Sequence, residues 1–213
     1  MPEFPVLLSA FVTLLVTIGP FEAAPIFGAL TRHMSAADRR RIGRRAVVIA
    51  GIVLVGFAIG GERLLSLLHV SLPALRTAGG VLLFLEAIQL VLARPGMSSI
   101  TEREREEAQH PRDISVFPLA IPLLAGPGSM VAILLLVSQV DSQPVFAAGI
   151  LLMLLLCLLI TYAAFLLVDL LGRVLGVTGA DVVGRVSGLL LAAMAMQFIF
   201  DGINQGLLLS PRP

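Results

Sequence analysis

Long apolar runs, separated by short stretches rich in arginine, dominate the pattern of this chain. Crossing the hydrocarbon core of a bilayer takes about 20 mainly apolar residues, so the pattern predicts an all-α membrane protein with one integral domain over residues 1–213. Six transmembrane helices are predicted at approximately Pro5–Leu30, Ala46–Leu68, Thr77–Ala93, Ile114–Ser138, Val145–Leu171 and Arg185–Leu208.

Proline and glycine interrupt the first and the fourth of these runs. The interruptions read TIGPFEAAPIF over Thr17–Phe27 and FPLAIPLLAGPGSM over Phe117–Met130. Proline removes a helix hydrogen bond, and non-helical backbone at membrane depth is tolerated only where it is buried or lines a watery cavity. The two breaks are therefore the predicted substrate-binding site, with these residues: Thr17, Gly19, Pro20, Glu22, Pro25, Pro122, Gly126, Pro127, Gly128 and Ser129.

The two halves of the chain resemble each other. Gly19-Pro20 matches Gly126-Pro127, and Leu75–Gln89 can be aligned with Gly184–Gln197. This predicts a first repeat over residues 4–94, a cytoplasmic linker over 95–113 and a second repeat over 114–208. Since each repeat holds three spans, the second must be inserted upside down, as in many secondary transporters. The two breaks then meet from opposite faces of the membrane.

Composition and charge agree with a membrane protein and set its orientation. The chain is 57% hydrophobic and 14% charged, with a mean hydropathy of +0.98. Most arginines fall in loops 31–45, 94–113 and 172–185, which the positive-inside rule places in the cytoplasm, with both termini outside. This distribution makes nucleic acid an unexpected partner. The run Arg39–Arg45 could also bind anionic membrane lipids, although topology alone explains it.

Two intramembrane acids, Glu22 and Glu86, are candidates for carrying a coupling ion. A charged group at this depth is costly and is a functional hypothesis by default, while a neutral acid that bonds a freed carbonyl is an equal alternative for Glu22. Gln89, Gln197 and Asp201 are secondary polar candidates. For the two glutamines, hydrogen bonding between helices is the more ordinary role.

The sequence favours no enzymatic activity, because it holds no motif typical of a hydrolase, a phosphate-binding loop or a dinucleotide site. Its one cysteine and three histidines lack metal-ligand spacing. The expected cofactor is none, and the coupling ion is either H⁺ or Na⁺.

Four stretches together give the chain a specific resemblance to the MarC family of integral membrane proteins. They are GPFEAAPIF (19–27), GGERLLSLLHVSLPALRTAGGVLLFLEAIQLVL (60–92), VFPLAIPLLAGPGSM (116–130) and GRVSGLLLAAMAMQFIFDGI (184–203). The resemblance implies a multi-pass permease of the bacterial inner membrane. Its implied substrates are small neutral amino acids such as glycine or alanine, moved with an ion gradient.

One position departs from the family pattern. The family usually has Asn or Asp before the first proline and Gly two residues after it, whereas this chain has Gly19 and Glu22. The polar group has moved one turn along the same helical face. We hypothesise that Glu22 takes over its role.

Two other functions fit the same residues. One is export of an unknown small metabolite, and the other is a non-transporting membrane scaffold in which the prolines only bend packed helices. Membrane transporters of this size often pair, and no motif in the sequence decides for or against a homo-oligomer.

Overall fold

The computed structural model describes residues 3–92, 113–140 and 144–209, and within them the chain is helical. The segments, labelled in chain order, are α1 (Glu3–Ile18), α2 (Pro20–Leu30), α3 (Ala36–Leu67), α4 (Leu72–Val91), α5 (Ser115–Leu124), α6 (Pro127–Ser138), α7 (Pro144–Leu166) and α8 (Val168–Leu209).

The predicted spans are present in these ranges, including both predicted breaks. Five helical stretches are long and apolar enough to cross a membrane, counting α1 with α2 as one, and α5 with α6 forms a sixth if this pair, bent by 56°, is a single span. The break in the first span is the single residue Gly19. The all-helical class is therefore confirmed with five or six candidate spans, and the chain is broken at both predicted places, at Gly19 and within α5.

Several predicted boundaries are wrong because polar residues do not end a helix. The Ser35 hydroxyl accepts a hydrogen bond from the Asp38 amide at 3.2 Å, so α3 begins within the predicted loop 31–45. The fifth span ends at Leu166 instead of Leu171, and the predicted loop 172–185 lies within α8, which contains no proline. The linker 95–113 lies outside the described residues except for Asp113.

Asp113 fixes the start of α5 at the arginine-rich end of the bundle. Its carboxylate accepts hydrogen bonds from the Ser115 hydroxyl and amide and pairs with Arg45. The pKa of Asp113 lies below its usual range, mainly because its carboxylate accepts a hydrogen bond from the Ser115 hydroxyl. Desolvation raises this pKa, while the Ser115 amide and the charge of Arg45 lower it further. At the same end, Arg39 makes a bidentate salt bridge with Asp169 at the start of α8, with bonds of 3.1 and 3.3 Å.

The closest helix packing is an antiparallel seam between α4 and α8. Gly80 lies against Ala195 and Ile199, while Gly202, further along α8, lies against Pro73 and Thr77, nearer the start of α4. Small residues let two membrane helices approach until their backbones touch. This seam has its own buried cluster, around Leu83 and Leu191, separate from the larger core that α1–α3 and α5–α7 share.

Gly80→Ala is expected to destabilise the protein by about 1–3 kcal/mol, the usual cost of overpacking a tight core. The added methyl carbon would lie 2.8 Å from the carbonyl oxygen of Ala195 and 3.0 Å from the amide nitrogen of Ile199, and backbone cannot move aside cheaply. The unfolding midpoint of the detergent-solubilised protein measures the change. Gly60→Ala is the matched control, since nothing lies within 4 Å of the added carbon. Equal midpoints for the two variants would contradict the described seam.

Candidate functional site

The first break is made by the backbone of Gly19. Its φ of 59° and ψ of 55° are left-handed helical values, which glycine adopts without strain. Pro20 then occupies the first helical position of α2, where a missing amide hydrogen costs nothing. The amide of Ala23 donates to the Gly19 carbonyl at 2.8 Å, so a new helix starts at this residue.

The second break is wider and involves the whole of α5. Phe117 and Ile121, each directly before a proline, have extended backbone angles inside this segment, as steric contact with the proline ring favours. The remaining backbone bonds include wide i→i+5 turns, such as Ala125 to Ala120 at 2.8 Å. Regular helix resumes with α6, for which Gly126 is the N-cap.

The two predicted hydroxyl groups are both used inside the protein. The hydroxyl of Ser129, which is 1% exposed, lies 2.9 Å from the Leu124 carbonyl and 3.0 Å from the Gly126 carbonyl, and it can donate to either. The Gly126 carbonyl also accepts the Met130 amide at 3.0 Å. Thr17, 6% exposed, donates to the Thr13 carbonyl one turn back at 2.9 Å. Both hydroxyls therefore hold the backbone near the breaks.

The carboxylate of Glu22 folds back over the first break. The residue is half-buried in the first turn of α2. Its Oε2 is 3.0 Å from the point where a β-carbon on Gly19 would lie, and its Oε1 is 3.9 Å from the corresponding point on Gly184 of α8. The acid thus lies between the left-handed residue and a buried glycine of the last span.

Glu86 is the acid that borders the second break. It is half-buried on α4, and its carboxylate lies directly against Gly128 in the first turn of α6, so that a methyl group there would collide with it. The carboxylates of Glu22 and Glu86 are close enough to interact electrostatically. The two breaks, 107 residues apart between Gly19 and Gly126, therefore meet around a pair of acids.

Each acid also lies beside the start of a helix. The first amides of a helix lack intrahelical partners and carry a partial positive charge. Glu22 is in the first turn of α2, and Glu86 contacts the first turn of α6. The site thus offers two carboxylates for a cation or an ammonium group, and two helix N-termini for an anion.

The prolines and glycines of the predicted site contribute differently. Pro20, Gly126 and Gly128 are buried, Pro122 is half-buried, and Pro25 and Pro127 are exposed. The site lies nearer the arginine-rich end of the bundle, since at a rise of 1.5 Å per residue Glu22 is about 12 Å before the end of α2 and Glu86 about 8 Å before the end of α4.

The secondary polar candidates are not all in this site. The Nε2 of Gln197 donates to Asp201 at 2.8 Å on the exposed face of α8, about 20 Å along that helix from Gly184. Gln89 lies one turn after Glu86, half-buried, and its Oε1 has no hydrogen-bond partner in the described part of the chain. Of the three, only Gln89 is near the acids.

Sequence reasoning missed Gly184 as a neighbour of Glu22. This glycine opens one of the four stretches that carry the family resemblance, and its lack of a side chain leaves room for the carboxylate. The association of Gly128 with Glu86 also had no local signal, because the two residues come from different halves of the chain.

Comparisons with known proteins agree with this architecture. The model of a family described as "MarC family integral membrane protein" matches residues 4–207. The chain is 36% identical to a UPF0056 membrane protein of Aquifex aeolicus, covering 96% of this chain and 95% of that one. It is 35% identical to a UPF0056 membrane protein of Archaeoglobus fulgidus (93% and 92% covered) and 30% identical to YhcE of Escherichia coli (95% and 94% covered). No solved structure matches. A family match over nearly the whole length, on a bundle of apolar helices, establishes that this chain belongs to the MarC family of integral membrane proteins.

Proposed function

We propose that this protein is a secondary transporter of small neutral amino acids, such as glycine or alanine, across the bacterial inner membrane, coupled to H⁺ or Na⁺. The observation that carries the proposal is the meeting of both helix breaks around Glu22 and Glu86. Discontinuous helices whose half-helix ends point at a shared site are the usual binding device of secondary transporters.

The chemistry of the site suits a zwitterion. A substrate ammonium group is attracted by the two carboxylates, and a substrate carboxylate by the N-termini of α2 and α6. Gly19, Gly128 and Gly184 border the acids, and their lack of side chains gives the carboxylates room. The choice of small neutral substrates follows the family resemblance. A proton or a sodium ion bound at one of the two carboxylates provides the coupling, because it relieves their mutual repulsion and leaves the other carboxylate charged for the substrate ammonium group.

The transport cycle follows from an inverted repeat, with α1–α4 and α5–α8 as the two units and both termini outside the cell. The antiparallel direction of α4 and α8 is the one that six consecutive spans require of the third and the sixth, with or without a repeat. Alternating access is then a rocking of one unit against the other around the two breaks. The glycine seam between α4 and α8 is the closest contact between the units and a natural pivot.

The test is uptake of labelled glycine and alanine into proteoliposomes that hold the purified full-length protein. A proton gradient and a sodium gradient are imposed in separate experiments, with protein-free vesicles as the baseline. We expect accumulation above equilibrium with one of the two gradients and its collapse when an ionophore dissipates that gradient. Inserted, folded protein that moves neither amino acid under either gradient would contradict the proposal.

A further inference from the structure

A long apolar groove runs between α3 and α7 on the outer surface of the bundle. It encloses about 890 Å³ and extends along α3 from Arg44 to Gly60. Its α3 wall includes three glycines, and β-carbons placed on Gly56 and Gly60 would meet nothing within 4 Å. From Val47 to Gly60 the groove is about 20 Å long, enough for an acyl chain that crosses one leaflet, about half of a 30 Å hydrocarbon core.

A polar cavity adjoins the arginine-rich end of the groove. Tyr162 of α7 lines both the groove and a second cavity of about 180 Å³, which is also lined by Arg39, Arg40 and Asp169. An apolar slot beside a polar cavity matches the two parts of a phospholipid, its acyl chain and its headgroup. Membrane-facing aromatic residues such as Tyr162 typically lie at headgroup depth.

Two arginines at this end are available for an anion. Among the described residues, Arg39 pairs with Asp169 and Arg45 with Asp113, whereas Arg40 and Arg44 make no salt bridge. Both are exposed and lie four residues apart, so they are neighbours on one face of α3. Arg44 lines the groove and Arg40 lines the polar cavity.

We propose that this groove is a binding site for an anionic phospholipid, with an acyl chain along the glycine wall of α3 and the phosphate at Arg40 and Arg44. A second copy of the chain fits the charges less well. Two copies that pack symmetrically in one membrane place the same ends together, which would bring four arginines to one point. A negatively charged headgroup neutralises them instead.

The test uses the fact that the chain has no tryptophan. Leu159→Trp places the sole tryptophan on the groove, at a position 55% exposed, and Leu189→Trp places it on α8, at a position 68% exposed. Leu159 lies about 10 Å before the end of α7 at Leu166, and Leu189 lies about 10 Å after Val182, where the membrane-spanning part of α8 begins. Each reporter protein is placed in vesicles of phosphatidylcholine that contain either brominated phosphatidylglycerol or brominated phosphatidylcholine. The quenching of tryptophan fluorescence by bromine is measured against the mole fraction of the brominated lipid.

At the Leu159→Trp reporter we expect the binding constant for phosphatidylglycerol to exceed that for phosphatidylcholine by tenfold or more. At the Leu189→Trp reporter we expect the two constants to be equal. Arg40→Gln and Arg44→Gln should each lower the preference about fivefold, as expected for one cation at the membrane surface. Gly56→Leu leaves the arginines in place but fills the groove, and should also remove the preference. Equal quenching by both lipids at position 159 would overturn the proposal, as would weak quenching by both in a protein that cross-links as a dimer through α3.

Discussion

Glu22→Gln is expected to reduce gradient-driven uptake of labelled glycine or alanine by at least about tenfold, within the usual range of coupling between two bound ligands. The substitution keeps the shape of the side chain but removes its ability to bind and release a proton or to neutralise a cation. Since Glu22 is next to the first break and interacts with Glu86 at the second, losing its charge should uncouple the substrate from the ion. Initial uptake rates with and without the imposed gradient measure the effect.

Glu86→Gln should reduce gradient-driven uptake by a similar factor, and the effects of the two substitutions on uptake should not be additive. Groups that act as one unit lose most of their function when either is removed, so the double variant is expected to be little worse than each single variant. This comparison separates a shared site from two independent acids, for which the losses would multiply.

Glu62→Gln is the matched control for both variants. Glu62 is an exposed acid on α3, so the same chemical change there should leave uptake unchanged. If Glu22→Gln and Glu22→Ala insert normally and both transport like the unmodified protein at every pH and under both gradients, the proposed role of Glu22 is wrong.

The helix breaks could be predicted from the sequence because they depend on local chemistry. Pro20 and Pro127 lack an amide hydrogen wherever they stand, and Gly19 allows a left-handed turn that few other residues adopt. The lengths of α3 and α8 could not be predicted in the same way. Polarity predicts loops for the arginine-rich segments, whereas a capping serine at the start of α3 and the absence of proline in α8 let both helices continue through them.

The pairing of the acids with the breaks depends on contacts between distant parts of the chain. Glu86 was identified from its cost in a membrane, but its position against Gly128 follows from how α4 packs between α6 and α8. The same packing separates Gln197 and Asp201 from the site, although the sequence predicts them, like Gln89, as secondary polar candidates. Periodicity assigns residues to a helical face, and only tertiary packing decides what that face meets.

The backbone of Gly19 explains why the family pattern and this chain can differ at the first break. Glycine, asparagine and aspartate are the residues that adopt left-handed angles most readily, and the pattern that the family resemblance implies has Asn or Asp where this chain has Gly19. A β-carbon on Gly19 would lie 3.0 Å from Oε2 of Glu22. A side chain at position 19 would therefore start where the Glu22 carboxylate now lies, so one acid could replace the other.

Placing the acid at position 19 instead of position 22 should consequently preserve transport. Glu22→Gly alone is expected to lower coupled uptake at least about tenfold, for the same reason as Glu22→Gln. Adding Gly19→Asp to that variant returns a carboxylate to nearly the same place on a residue type that tolerates the required φ, and uptake should recover by a similar factor. Proteoliposome uptake of glycine and alanine, with each variant normalised to inserted protein, measures the recovery.

Two further variants distinguish relocation of the acid from a general gain in stability. Gly19→Asp in the presence of Glu22 should be impaired, because two carboxylates would then compete for one space and repel each other. The variant that combines Gly19→Val with Glu22→Gly should transport even less than Gly19→Asp alone, since a β-branched residue is a strained outlier at a φ of 59°. If the variant carrying Gly19→Asp and Glu22→Gly folds and inserts but transports no better than Glu22→Gly, the acid must be at position 22. Glu22 would then have a role of its own in this protein instead of replacing the family's polar residue.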